Sequence, residues 1–149
     1  MEIKKILWPT DLSANAAKAL PYVTSLSKKY NAEIHILYVI QEMAYHEPWY
    51  GEFDRTHLDK IHQWEKASAE KHLQQICENY LQGCPLFVKH TSSGDPAEEI
   101  INLVNKEDIG IVVLAVKGWK GSFPFGSVAE KVVKNSPVPV VTIPVTETE

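Results

Sequence analysis

Ile111-Val112-Val113-Leu114, then a glycine-bearing stretch from Ala115 to Phe125, then Gly126-Ser127-Val128-Ala129-Glu130-Lys131-Val132-Val133: this run decides the fold of the chain. Its first four residues form the continuously apolar pattern of a buried strand, and its last eight are an amphipathic helix behind a Gly-Ser step. Strand, glycine loop and helix in that order are how α/β proteins hold phosphate. A helix start leaves several N–H donors without intrahelical partners, and the helix dipole adds partial positive charge where they point. The same Gly-Ser step can instead be a tight turn with Ser127 as N-cap, worth about 1 kcal/mol to the helix and binding nothing.

Outward from that unit, strand and helix patterns alternate along the whole chain. Ile3 to Trp8 reads as a short buried strand that Pro9-Thr10-Asp11 breaks. Helical spacing of Ala16, Ala17, Leu20, Val23, Leu26 and Ser27 predicts a helix from Ser13, a candidate N-cap, to about Tyr30, with Pro21 kinking or breaking it. Ala32 to Ile40 is a second strand. The segment from Gln41 to Phe53 carries Tyr45, Trp49, Tyr50 and Phe53 and reads as an irregular loop able to cover a pocket or a partner surface. Asp54 to Tyr80 is a helix whose buried stripe is Leu58, Ile61, Trp64, Ala67, Ala69, Leu73 and Ile76, ended by Gly83. Leu86 to Val88 is a third strand. Asp95 caps the next helix with Pro96 at its first position. Ile109 to Leu114 is the fourth strand, Ser127 to Asn135 the last helix and Val138 to Ile143 the last strand.

Such alternation implies α/β architecture: a parallel sheet with helices on both faces, because parallel neighbours need long right-handed crossovers. Ligands then sit beyond the carboxyl ends of the strands, where the strand order reverses. Asp11, Val39 and the stretch from Ala115 to Ser127 all fall at carboxyl ends and can converge on one crevice.

Composition narrows the function classes. A chain of 149 residues is expected to form one domain with a core that needs neither metal nor disulfide. The net charge of −4 and scattered lysines argue against a nucleic-acid partner. Met1-Glu2-Ile3-Lys4-Lys5 precedes an apolar run too short for a signal peptide or membrane span, so the expected location is the cytoplasm. Cys77 and Cys84 match no common metal or redox spacing and read as reduced structural thiols. His57, His62 and His72 are not spaced to stack on one helix face as a metal pair would, and read as solvated.

Several stretches together resemble the universal stress protein family over nearly the whole length. They are Ile6-Leu7-Trp8-Pro9-Thr10-Asp11-Leu12-Ser13, Ile36-Leu37-Tyr38-Val39, Gly94-Asp95-Pro96-Ala97-Glu98-Glu99-Ile100, and Gly126 to Val132 with Pro137-Val138-Pro139-Val140. The resemblance implies a single doubly wound domain of about five parallel strands, a three-layer sandwich of the adenine nucleotide alpha-hydrolase or flavodoxin type, in strand order 2-1-3-4-5 or a close relative. It also implies a dimer, a stress-linked role, and membership of either an ATP-binding or a non-nucleotide branch.

By that resemblance the candidate nucleotide residues are Pro9, Thr10 and Asp11, then Val39 against the adenine, then Ala115, Lys117 and Gly118, and finally Gly126, Ser127 and Val128 around the phosphates. The ATP-binding branch carries Gly, two residues, Gly, nine residues, then Gly followed by Ser or Thr. Here Ala115 stands at the first glycine, Gly118 at the second, and Gly126-Ser127 follow after only seven residues. Ala115 disfavours positive φ and brings a methyl group where backbone must approach the ligand. The leading expectation is a dimer, paired through the last strand, that binds ATP or AMP as a regulatory ligand, with Mg entering only with ATP. The alternative is a dimeric interaction module whose phosphate site has closed, and weak ATP hydrolysis ranks third because no base or P-loop ending stands near the loop.

Overall fold

A computed structural model describes residues 2–12, 14–40, 55–80, 86–117 and 126–145. In chain order the elements are β1 (Lys5–Thr10), α1 (Ala14–Ala17), α2 (Leu20–Tyr30), β2 (Glu33–Ile40), α3 (Arg55–Tyr80), β3 (Phe87–Ser93), α4 (Pro96–Lys106), β4 (Ile111–Lys117), α5 (Ser127–Asn135) and β5 (Val140–Val145). The five strands form one sheet in the order β3-β2-β1-β4-β5, and all four strand pairings are parallel. The order therefore differs from 2-1-3-4-5. β3 lies outside β2 rather than beside β1, because α1, α2 and α3 keep to one face and carry the chain outward before α4 returns it across the other.

Strand alternation divides the core between those two faces. Ile6, Trp8, Ile34, Ile36, Ile111, Val113 and Ile143 meet Ala16, Ala19, Leu20 and Val23 of the first helical segment together with Leu73 and Cys77 of α3. Leu7, Leu37, Val112, Leu114 and Val116 meet Ala97, Ile100, Leu103 and Val104 of α4 and Ala129 and Val132 of α5. Trp8 is fully buried, and its indole Nε1–H donates to the Ala16 carbonyl at 3.3 Å, fixing α1 to β1. The expected break falls just before Pro21, which lies in the first turn of α2, where its missing N–H costs nothing. Asn31 in the left-handed conformation ends α2. Ser13, Gly83, Cys84, Gly118 and the segment from Gln41 to Phe53 lie outside the described residues.

Several boundaries depart from expectation for physical reasons. β3 extends to Ser93 because an edge strand is half-solvated and tolerates the polar run Lys89-His90-Thr91-Ser92-Ser93. β4 runs on to Lys117, so Ala115 and Lys117 belong to a strand and not to a loop. Ala115 pairs in register with Ile143 and packs against the α1–α3 side of the core.

The buried stripe expected on α3 holds only in its second half. Ala69, Leu73 and Cys77 are buried, whereas Ile61 is 47% and Trp64 71% exposed. A helix of 26 residues spans about 39 Å at the usual rise. The eight residues of β2 span only about 26 Å. The amino-terminal part of α3 consequently overhangs the carboxyl edge of the sheet.

Candidate functional site

β1 stands between β2 and β4, so the carboxyl ends that carry Pro9-Thr10-Asp11, Val39 and Ala115-Lys117 are consecutive in the sheet. Between β1 and β4 the chain switches from building outward on one side to building outward on the other, which is where a crevice forms in an open α/β sheet. The two seams of β1 differ. Its pairing with β2 runs the full strand, from Lys5↔Glu33 to Thr10↔Tyr38. Its pairing with β4 comprises Ile6↔Ile111 and Leu7↔Val112, in the amino-terminal half.

Beyond β1 the chain makes a fixed turn. The Leu12 N–H donates to Thr10 Oγ1 at 3.0 Å, and Leu12 has φ of 66°, a left-handed conformation that costs a leucine energy and persists only where its surroundings impose it. Leu12 packs against the core, and Asp11 is thereby presented, exposed, at the tip. Val39 is half-buried on the opposite side, against the cluster under α4 and α5.

The third component is the start of α5. Gly126 is its N-cap, with φ −68° and ψ 160° and no side-chain cap. The Glu130 N–H donates to the Gly126 carbonyl at 3.0 Å, so the N–H groups of Ser127, Val128 and Ala129 precede the first intrahelical bond. Gly126 and Ser127 are exposed and Val128 is half-buried. Glu130, the acidic residue of the first turn, is held by Lys134 Nζ at 2.8 Å. That hydrogen bond and charge keep its carboxyl below the usual range. Among the described residues a Cβ built on Gly126 would meet nothing within 4 Å, so neither their packing nor the backbone conformation explains a glycine there.

Two residues that the sequence patterns do not single out stand at the same edge. Burial, then the carboxylates of Glu65 and Asp11, raise the Tyr38 phenol above its ordinary pKa. Glu65 belongs to α3 just inside its overhang, and a helix-surface glutamate carries no sequence signal of such a position. A second titratable group lies away from the crevice, under α4. His35 is 1% exposed, and its Nε2 lies 2.5 Å from Glu33 Oε1. Its Nδ1 lies 2.8 Å from His90 Nε2, with the two rings parallel within 12°. A carboxylate only accepts, so His35 Nε2 donates to Glu33, and one hydrogen joins His35 Nδ1 and His90 Nε2 in the direction their tautomers set. Burial first and His35 second push His90 below its ordinary pKa; Glu107 and Glu33 act in the opposite sense, and Lys106 lowers it further. Burial likewise raises the Cys77 thiol, which makes it a poor nucleophile. Among the described residues no group of three or more His, Cys, Asp or Glu is placed to hold a metal ion, and no helix is long and apolar enough to cross a membrane.

A sheet in this order, with three strand ends and a helix start gathered at its switch point, defines a doubly wound α/β domain. The universal stress protein family is matched over residues 2–144, and the chain belongs to that family. A universal stress protein of Methanocaldococcus jannaschii is 28% identical over 143 residues, covering 94% of this chain and 81% of that protein. Among solved structures, the universal stress protein UspA of Lactobacillus plantarum superposes with a TM-score of 0.80 at 24% identity, covering 96% of this chain and 99% of that one. Two more distant structures share the fold: a universal stress protein in complex with cAMP (TM-score 0.70, 14% identity, 96% of this chain and 98% of that one), and one from Archaeoglobus fulgidus in complex with dAMP (TM-score 0.68, 15% identity, 96% and 99%).

Proposed function

We propose that this chain is a universal stress protein that binds an adenine nucleotide, ATP or AMP, as a regulatory ligand in the crevice between β1 and β4. The observation that carries the reading is the start of α5. Three backbone N–H groups precede the first helical bond there, beside a glycine that the fold itself does not require. An anion at that position gains the hydrogen bonds and the helix dipole together. Pro9, Thr10 and Asp11 then flank the ribose or base from β1, and Val39 offers apolar contact from β2. Lys117, the last residue of β4, and Gly118, which follows it in sequence, are assigned to the phosphate side by the family resemblance. The cAMP and dAMP held by two relatives of the same fold support the choice of an adenine nucleotide. Magnesium, where it enters, comes with the triphosphate.

The protein acts in this reading as a cytoplasmic dimer. β5 lies at a sheet edge, with Val140, Val141 and Thr142 half-buried, and two-fold pairing of the segment from Val138 onward would cover an apolar edge that otherwise invites aggregation.

Native mass spectrometry of the purified protein, followed by calorimetric titration with ATP and AMP, tests the ligand. Retained nucleotide, or saturable binding of either, is the expected result. A clean apo protein that binds neither would favour the other branch of the family, an interaction module with a closed phosphate site. Light scattering tests the dimer, and a monomer at micromolar concentration would remove it.

A further inference from the structure

The unequal seams of β1 have a cause in the sequence. In a strand, successive residues turn their backbone groups to opposite neighbours. The Lys4 carbonyl accepts from Glu33 N–H at 2.9 Å, toward β2, and the Lys5 carbonyl accepts from Gly110 N–H at 3.0 Å, toward β4. Residues 5, 7 and 9 therefore face β4. On the other strand the Val112 N–H donates to the Pro139 carbonyl at 3.0 Å, toward β5, so Ile111 and Val113 face β1. After the Leu7↔Val112 pair the next rung of the parallel ladder would run from the N–H of residue 9 to the Val113 carbonyl. Residue 9 is proline and has no N–H. On the β2 side nothing is lost, since the residues turned that way are Ile6, Trp8 and Thr10, and pairing there continues through Pro9↔Leu37 and Thr10↔Tyr38.

The geometry points to Pro9 as a positioning residue: by denying the β1–β4 seam its next hydrogen bond, it parts the two strands at the carboxyl edge and sets the width of the crevice. Proline here does not end the strand. It ends one of the strand's two ladders, on the side where the sheet reverses direction. Zipped strands lie about 4.8 Å apart, a gap that admits no sugar or base, so each further rung would shorten the crevice from below. The inference rests on the nucleotide reading for its consequence, although the parting of the seam can be tested without any ligand.

Pro9→Ala restores the missing donor on a backbone already extended, and Pro9→Val does so with a better strand former. In both variants the amide of residue 9 should become protected from hydrogen exchange by about tenfold or more, as a ladder amide rather than a frayed one. The thermal midpoint should hold or rise, and AMP affinity should fall by about tenfold, the equivalent of about 1.4 kcal/mol. An exchange rate at residue 9 equal to that of an unstructured amide in both variants would overturn the inference, since the proline would not be what parts the strands. A protected amide with unchanged AMP affinity would overturn its positioning role. Wild-type protein that binds neither AMP nor ATP would instead defeat the nucleotide reading, and protection of the residue 9 amide would then decide the parting of the seam by itself. A protein in which proline mattered only for rigidity would lose stability in these variants and gain no protected amide.

Discussion

The starts of α4 and α5 lie on the same face of the sheet, linked by Lys131 of α5 at 4.0 Å from Asp95 before α4, yet they are finished in opposite ways. At α4 the chain satisfies itself. Asp95 Oδ2 accepts the Glu98 N–H at 3.1 Å, Pro96 occupies the first turn, and Gly94 has φ of 134°, with a Cβ there falling 3.1 Å from Glu99 Oε1. Its glycine is demanded by the backbone. At α5 the cap is Gly126 in an ordinary extended conformation, with open space where a side chain would go. A glycine that the fold requires and a glycine that the fold could replace look the same in sequence. Only the second is free to serve a ligand.

The largest effect should come from filling the open space. Gly126→Val puts a branched side chain where a phosphate would approach, and nucleotide affinity should fall by about a hundredfold or more. Stability should change by less than about 1 kcal/mol, the scale of a weaker N-cap. Calorimetry and thermal melts on the same sample separate the two. Ser127→Ala should come next, losing one hydrogen bond to a charged oxygen, about 1.5–3 kcal/mol or tenfold to a hundredfold in affinity. Unchanged affinity in both variants would place the phosphate away from α5 and remove the contrast between the two helix starts.

At α4 the same kinds of substitution should act on folding alone. Gly94→Ala forces an alanine into a positive-φ conformation and should destabilise by about 1–3 kcal/mol. Asp95→Ala removes the cap and should cost about 1 kcal/mol, both read by urea denaturation. Neither should alter nucleotide affinity measured on the folded fraction. Ala115→Gly sharpens the point. The sequence motif suggests that its methyl obstructs the ligand. The methyl instead packs into the core from within β4, so the variant should lose a few tenths to about 1 kcal/mol of stability as glycine does in a strand and gain no affinity.

Much of this is legible in sequence because it rests on periodicity and punctuation. Buried strands such as Ile34 to Ile40 announce themselves by apolar runs, and Gly94-Asp95-Pro96 names a helix start residue by residue. Strand order is not legible, since it depends on which face α3 and α4 cross, and both crossings bury similar stripes. The overhang of α3 is hidden because Ile61 and Trp64 continue the correct helical spacing, and spacing cannot tell where the sheet beneath runs out. Pro9 reads as a break because a proline's effect depends on which neighbour its missing N–H faces. His35, set between Ile34 and Ile36, and His90 give no signal because their pairing across β2 and β3 exists only in register.

That histidine pair yields the smallest expected effect and extends the contrast to the far end of α4, where Lys106 and Glu107 face it. His90 is held below its ordinary value of 6.5 chiefly by burial, so the unfolded chain takes up a proton at a higher pH than the folded one. The stability that the neutral ring contributes is fully present above 6.5 and is lost as pH falls through the lower folded value. A single added proton can sit on the outer nitrogen of His90 and leave its bond to His35 intact. The added charge then sits on a ring whose burial disfavours it, with His35 and Lys106 acting in the same sense. Acidification below 6.5 should therefore raise the opening of β3 and α4 amides, corrected for intrinsic exchange, by up to about tenfold per unit of pH for each proton taken up. Amides of α5 should follow only the global change. His90→Gln keeps a donor toward His35 but cannot charge, and should flatten the acid limb of the stability profile. An unaltered acid limb in that variant would show that the pair is a passive part of the core, and would return α4 and α5 to equal footing at low pH.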